Sequence, residues 1–131
     1  MEKATIYVAP LARLFLAFLF LIAGFGKLMN PAGTISYISS VGLPLPQLGY
    51  AIALAAELGG GLLILVGYQT RLIAPLMAIF TIATAIFFHN NFADQTQVIN
   101  FMKNIAIAGG FLALMANGAG AFSIDARLGK H

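Results

Sequence analysis

The 131-residue sequence contains no cysteine, and only 8% of its residues are charged. Without cysteine the chain can form no disulfide, thiol nucleophile, iron–sulfur cluster or thiolate metal site. A water-soluble domain usually has charge on roughly a quarter of its residues, whereas 60% of this chain is hydrophobic. This composition suits lipid rather than water, and we expect an integral membrane protein.

The sequence also lacks the motifs of common hydrolases and nucleotide-binding proteins. It has no HExxH, GxSxG or Walker-type pattern. One internal histidine, His89, cannot provide bis-histidine haem ligation, so no metal site is predicted. The seven Lys and Arg residues are scattered singly, which argues against nucleic-acid binding despite the net charge of +3. No catalytic residue is predicted, and this favours a non-enzymatic role without excluding turnover.

Four apolar segments are long enough to cross a bilayer at about 20 residues per span. They lie at about residues 8–27, 48–67, 72–88 and 99–117. Because they occupy most of the chain, little remains for a soluble domain. We predict an all-α membrane protein in which residues 1–131 form a single bundle of four transmembrane helices.

A shorter helix is predicted between the first two spans. Asn30-Pro31 combines a preferred N-cap residue with proline at the first helical position. Apolar residues then recur on one face until Gly42 and Pro44 end the pattern: Ile35, Ile38 and Val41. Its length suits a helix on the membrane surface or across one end of the bundle.

The distribution of Lys and Arg predicts the orientation in the membrane. Four basic residues fall on the side that holds both termini: Lys3, Arg71, Arg127 and Lys130. Only Lys27 and Lys103 fall on the other side. Since basic residues favour the cytoplasm, we predict that both termini are cytoplasmic.

Ionisable residues inside apolar spans are rare and usually face the bundle interior. Glu57 lies near the middle of the second span, and Arg13 lies within the first. A rise of 1.5 Å per residue across a core about 30 Å thick separates them by roughly 8 Å along the membrane normal. We therefore predict an Arg13–Glu57 ion pair, whose role is either structural or functional.

Several further polar residues are predicted near the same interior. The proposed ligand-binding set is Arg13, Lys27, Glu57, His89, Lys103 and Asn104. Three cations against one acid would make this interior net positive and suited to an anionic or carbonyl-bearing small molecule. The alternative is that the two lysines anchor helix ends at the interface and that His89 caps a helix.

Glycines within the spans predict sites of close helix packing, because small residues let backbones approach one another in membranes. The candidates are Gly24, Gly59, Gly60, Gly61, Gly109 and Gly110.

These motifs together resemble the DoxX family of small four-helix membrane proteins, in particular its YqjF-like branch of bacterial inner-membrane proteins. The resemblance extends along nearly the whole chain. Its carriers are Arg13, Gly24-Phe25-Gly26-Lys27, Glu57 with Gly59-Gly60-Gly61, Gly67 with Thr70-Arg71, Phe88-His89-Asn90-Asn91-Phe92, Phe101-Met102-Lys103-Asn104 with Gly109-Gly110-Phe111, and Ser123-Ile124-Asp125.

The resemblance implies an inner-membrane protein linked to quinone or redox metabolism. The family name derives from a subunit associated with a terminal quinol oxidase or a thiosulfate:quinone oxidoreductase, and other members are similar to partners of oxidative-stress enzymes. We expect an accessory or binding subunit that holds a quinone-like molecule. The expected partners are the lipid bilayer, a membrane or peripheral oxidoreductase, and a second copy of the chain. Two alternatives stay open: an oligomeric small-molecule transporter or permease, and a purely structural partner subunit.

Overall fold

The computed structural model describes residues 6–130, so the part of the orientation argument that rests on Lys3 lies outside the described residues. Within this range the chain forms four long helices and two short ones. They are α1 (Val8–Met29), α2 (Pro31–Ser40), α3 (Pro46–Val66), α4 (Thr70–Phe88), α5 (Gln95–Asn117) and α6 (Ile124–Arg127).

The four long helices contain 19 to 23 residues and are apolar enough to cross a membrane. They confirm the predicted class, an all-α protein with four transmembrane helices. Their bounds lie within four residues of those predicted from the apolar pattern, and α3 ends one residue early because Gly67 adopts a left-handed conformation.

The short helix α2 confirms the element predicted between the first two spans. Asn30 Oδ1 accepts a hydrogen bond from the backbone N–H of Gly33 at 3.2 Å, and Pro31 begins the helix. Ile38 is the buried residue of α2 and faces Gly49 near the start of α3. The apolar face therefore turns α2 toward the bundle.

The core lies where α1, α3, α4 and α5 meet. It combines small residues with a few large ones: Ala17, Phe20, Ile64, Ala74, Met77, Ala78, Ala108, Phe111 and Leu114. Many other large apolar side chains point outward, including Phe15 and Ile79, which are 70% and 65% exposed. Such a surface is suited to lipid acyl chains, because the spans satisfy their backbone hydrogen bonds internally.

One turn of α3 departs from α-helical geometry. Residues Ala55–Gly60 form a π-helical segment between two α-helical ones, and this segment contains Glu57. Short π-helical segments are rare and occur frequently at functional sites. The irregularity therefore makes this level of α3 a candidate functional region.

The predicted packing glycines divide into two groups. Gly24, Gly60, Gly61 and Gly110 face side chains of a neighbouring helix: Leu58, Met77, Leu21 and Leu16, respectively. Gly59 and Gly109 are exposed, and a Cβ added to either would meet no atom within 4 Å. The packing predicted for these two does not occur within the bundle, because they lie on the outward faces of α3 and α5.

Candidate functional site

An ion pair between α1 and α3 lies inside the bundle. Lys27 Nζ donates to Glu57 Oε1 at 2.8 Å. The Glu57 side chain is only 8% exposed, whereas the Lys27 side chain is 32% exposed. The hydroxyl of Tyr50 donates to the carbonyl oxygen of Lys27 at 3.0 Å, so the end of α1 is tied to α3 beside the pair.

The prediction that Arg13 pairs with Glu57 was wrong. The guanidinium of Arg13 lies beside Leu65, eight residues from Glu57 along α3, which corresponds to about 12 Å along the helix axis. Backbone carbonyls at the end of α3 are closer acceptors for Arg13 than the distant carboxylate. Lys27 lies near the other end of α1 and reaches Glu57 instead.

A cavity of about 530 Å³ opens beside the ion pair, between α1, α2, α3, α4 and α5. Its wall is mostly apolar and includes Phe20, Phe80 and Phe87. The polar side chains in the wall are Lys27, Thr34, Tyr37, Glu57, Thr81, Thr84, His89 and Asn104. A mostly apolar wall with a few polar groups, and a volume within roughly 300–1,000 Å³, is typical of small-molecule sites.

Glu57 lines this cavity and has one carboxylate oxygen without a hydrogen-bond partner among the described residues. Its Oε2 atom is buried and has no partner among the described residues. A buried polar atom without a partner is costly, at about 1–3 kcal/mol. Lys27 has three N–H donors, of which one serves Glu57. The wall of the cavity therefore holds a buried acceptor that has no partner among the described residues, close to the donors of Lys27.

Asn104 lines the cavity, but its amide group is hydrogen-bonded to α4 rather than available to a ligand. Its Nδ2 atom donates to the Thr81 carbonyl and to Thr84 Oγ1, each at 3.1 Å. The Thr84 hydroxyl in turn donates to the Thr81 carbonyl at 2.9 Å. The amide donors expected for a ligand are thus used between α4 and α5.

His89 lies at the C-terminus of α4, where its backbone N–H donates to Ala85, and its side chain lines the cavity. It is both a terminal residue of the helix and part of the wall.

Two of the six predicted ligand-binding residues lie away from the cavity. Arg13 and Lys103 do not line the cavity, and Lys103 is exposed on α5. The cavity therefore contains one lysine and one glutamate, and the net positive interior predicted from the sequence was wrong. The spacing of charges placed them at similar depths, but it could not say which face of each helix turns inward.

Four polar wall residues are absent from the predicted ligand-binding set: Thr34, Tyr37, Thr81 and Thr84. Tyr37 of α2 stacks on Phe88 of α4, with ring centroids 5.5 Å apart. The sequence offered one indication of the residues on α2. Tyr37 and Ile38 lie three and four residues after Thr34, so the three share a face of the short helix.

A second cluster lies at the opposite end of the bundle, and we call it the latch: Arg13, Gly67, Gln69, Thr70, Phe122 and Asp125. Arg13 is 2% exposed, and its Nη1 donates to the Leu65 carbonyl at 2.7 Å. Its Nη2 donates to the carbonyl of Phe122 in the C-terminal segment. Gly67 has φ +71 and lies so close that a Cβ there would be 2.6 Å from Arg13 Nη1.

Asp125 completes the latch from the C-terminal segment. Its Oδ1 and Oδ2 accept from the backbone N–H groups of Gln69 and Thr70 at 2.7 and 2.8 Å. Burial by itself would raise the pKa of Asp125, but the N–H donors of Thr70 and Gln69 and the positive charge of Lys130 together outweigh it, and the pKa of the carboxyl lies below its usual value. The charged carboxylate thus caps the start of α4.

Four apolar helices around an internal ion pair and cavity define a small polytopic membrane protein. Residues 8–90 match the DoxX family model, and the chain belongs to the DoxX family. This confirms the resemblance seen in the sequence.

Three relatives extend this comparison. Inner membrane protein YqjF of Escherichia coli (strain K12) is 47% identical, covering 91% of this chain and 90% of its own length. Inner membrane protein YphA of the same strain is 40% identical, covering 89% of this chain and 87% of its own length. CatD of Bacillus subtilis (strain 168), whose name provisionally describes an oxidoreductase, is 37% identical over 58% of this chain and 55% of its own length.

No solved structure matches the chain with significance. The inner-membrane relatives and the four apolar helices together identify a multi-pass inner-membrane protein.

Proposed function

We propose that this protein binds a quinone-like molecule in the cavity beside Lys27 and Glu57, and that it acts as an accessory subunit in inner-membrane redox metabolism. The observation that carries the proposal is the Lys27–Glu57 ion pair in the wall of a mostly apolar cavity of about 530 Å³. An apolar cavity with donors at one position of its wall suits an apolar ligand whose polar head accepts a hydrogen bond.

The residues of the wall fit a quinone in both size and chemistry. The aromatic and aliphatic side chains suit a ring and an isoprenoid tail, while Lys27 can donate to a ring oxygen. Glu57 orients the ammonium of Lys27 through their hydrogen bond. Thr81, Thr84 and Asn104 keep α4 and α5 together, so that the wall opposite the ion pair stays in place.

A bound quinone would supply reversible two-electron, two-proton redox chemistry to a partner. The residues of this chain bind it, orient its polar end and exclude bulk water. The oxidoreductase name of the more distant relative CatD supports a redox context, and a separate oxidoreductase subunit is the partner that this role requires.

The proposal includes both termini on the cytoplasmic side. Among the described residues, Arg71, Arg127 and Lys130 lie at the latch end, whereas Lys27 and Lys103 belong to the other end. Because the chain has no native cysteine, single cysteines can report topology. A membrane-impermeant maleimide should label Ala93→Cys in spheroplasts, and Lys130→Cys only after permeabilisation. The reverse pattern would overturn this orientation.

Analysis of co-purified ligand tests the binding function. The protein is purified in native lipid discs, extracted and examined for quinones by mass spectrometry. We expect near-stoichiometric quinone with the wild type and with Lys103→Met, the exposed lysine outside the cavity. The double variant Lys27→Met/Glu57→Leu should lose it. Recovery of phospholipid alone, or equal quinone recovery from all three proteins, would contradict the proposal.

A further inference from the structure

We infer that the polar end of the bound molecule is a hydroxyl group, which donates to Glu57 Oε2 and accepts from Lys27 Nζ. The site would then select a phenol or hydroquinone over the corresponding ether or quinone. This inference rests on the proposed binding function and specifies which form of the ligand the site holds.

The first step concerns the acceptor. Glu57 Oε1 is engaged by Lys27 at 2.8 Å, whereas Oε2 receives no hydrogen bond from the described residues. A quinone oxygen is itself an acceptor and cannot satisfy a carboxylate oxygen. A hydroxyl can, and the gain is larger because hydrogen bonds to a charged acceptor are about twice as strong as neutral ones.

The second step concerns the donor. Lys27 has two N–H groups beyond the one that serves Glu57, and its side chain is partly exposed. The same hydroxyl oxygen that donates its proton to Glu57 can accept from one of these groups. A hydroxyl is therefore complementary to both members of the ion pair.

The third step concerns charge. The only acid and the only lysine in the described wall of this cavity are Glu57 and Lys27, so the pair is close to neutral as a unit. An anionic head would bring a second negative charge beside Glu57, which low-dielectric surroundings make unfavourable. A neutral hydroxyl avoids that repulsion.

The fourth step concerns competing donors. The Asn104 amide is committed to Thr81 and Thr84, and the Thr81 hydroxyl donates to the Met77 carbonyl at 2.7 Å. Glu57 also lies eleven residues from the start of its span and nine from the end, and thus near the middle of the membrane. The donor is therefore expected to arrive with the ligand.

A redox-inert pair of probes tests the inference. Binding of 4-octylphenol and of its methyl ether, 4-octylanisole, is measured by calorimetry on the full-length protein in lipid discs. The probes share a ring and tail and differ in the hydroxyl proton. We expect the phenol to bind at least about tenfold more tightly, as for other buried acceptors left unpaired. In Lys27→Met/Glu57→Leu the ratio should fall to about one, while Lys103→Met should keep it.

A short-chain hydroquinone and its quinone, measured without oxygen, extend the test to the proposed ligand. A tenfold preference for the hydroquinone supports the inference. Equal affinity for both redox forms and for both octyl probes would overturn it while leaving quinone binding intact. A phenol preference with no competition from either redox form would support the hydroxyl inference and contradict the quinone function. An undiminished phenol preference in the double variant would also overturn the inference, because the preference would then arise elsewhere.

Discussion

The two ionisable clusters of this bundle lie at opposite ends of α1 and differ in how their polar groups are satisfied. In the latch, the Arg13 guanidinium and the Asp125 carboxylate bind backbone groups of α3, α4 and the C-terminal segment. At the cavity, Glu57 lies in the wall of about 530 Å³ of space, and one of its carboxylate oxygens has no partner among the described residues. In the latch, Arg13 Nε and Thr70 Oγ1 also lack a partner among the described residues, but neither residue borders that space.

This difference indicates that the two clusters of charged residues have different roles. Charged side chains that bind backbone carbonyls and N–H groups hold the ends of helices in place. Few of their hydrogen-bonding groups remain available to a ligand. An ion pair in which one carboxylate oxygen has no partner can still accept a hydrogen bond from a ligand. We therefore expect latch variants to affect mainly stability, and cavity variants to affect binding as well.

The largest effect is expected for Arg13→Met. It leaves the carbonyls of Leu65 and Phe122 without their donor in the bundle interior. Each buried acceptor left unpaired costs about 1–3 kcal/mol, so we expect a loss of about 4 kcal/mol for the two together. Unfolding in detergent micelles, followed by circular dichroism, measures the loss. The control is Arg71→Met, because Arg71 also donates to two carbonyls but is exposed. We expect less than about 1 kcal/mol for it, and equal losses would contradict the distinction.

A somewhat smaller effect, about 3 kcal/mol, is expected for Lys27→Met, since it leaves a buried carboxylate without its cation. Adding Glu57→Leu removes that carboxylate, and the double variant should unfold within about 1 kcal/mol of the wild type. Its ligand binding should nevertheless stay lost. If the double variant were less stable than Lys27→Met, the pair would be a structural requirement rather than a binding site.

Gly24→Ala is expected to cost about 2 kcal/mol through overpacking. Its Cβ would lie 2.8 Å from Leu58 Cδ2 and 3.0 Å from Glu57 Cβ, so α1 and α3 would have to separate beside the ion pair. Gly26→Ala is the matched control on the same helix, because a Cβ there meets nothing within 4 Å. It should be neutral or stabilising by up to about 1 kcal/mol. Similar melting temperatures for the two variants would show that this contact is not tight.

The smallest effect, about 1 kcal/mol at neutral pH, is expected for Asp125→Asn, which keeps one acceptor for the α4 cap but loses the charge. Because the folded-state pKa of Asp125 is lowered, its charge stabilises the fold above the unfolded pKa of about 4 and is lost as the pH falls through the folded value. The stability difference between wild type and Asp125→Asn should therefore shrink below about pH 4. A difference that stays constant down to pH 2 would contradict this account.

The sequence was sufficient for the spans because an apolar helix of about 20 residues needs no tertiary information to be recognised. The start of α2 could also be predicted, since Asn30 and Pro31 favour a helix start through local interactions in the first turn. The depth of Glu57 also followed from its place within a span.

The pairing of charged residues could not be predicted from the sequence, because it depends on the angle at which each helix faces its neighbours. Arg13 shares a helical stripe with Lys27, yet the two side chains reach different levels of α3. The return of Phe122 to Arg13 and the π-helical turn at Glu57 depend on contacts between distant segments. For the same reason, Gly59 and Gly60 looked equivalent in the sequence and face opposite environments in the bundle.

Photoaffinity mapping tests the central claim that the cavity, and not the latch, is the binding site. A photoreactive quinone analogue is irradiated with the wild-type protein in lipid discs, and the labelled peptides are identified by mass spectrometry with and without excess unlabelled ligand. We predict competable adducts on the cavity wall, around Phe80 to His89, and their loss in Lys27→Met/Glu57→Leu. Adducts confined to the lipid-facing surface or the latch, or adducts that excess ligand does not reduce, would contradict the account.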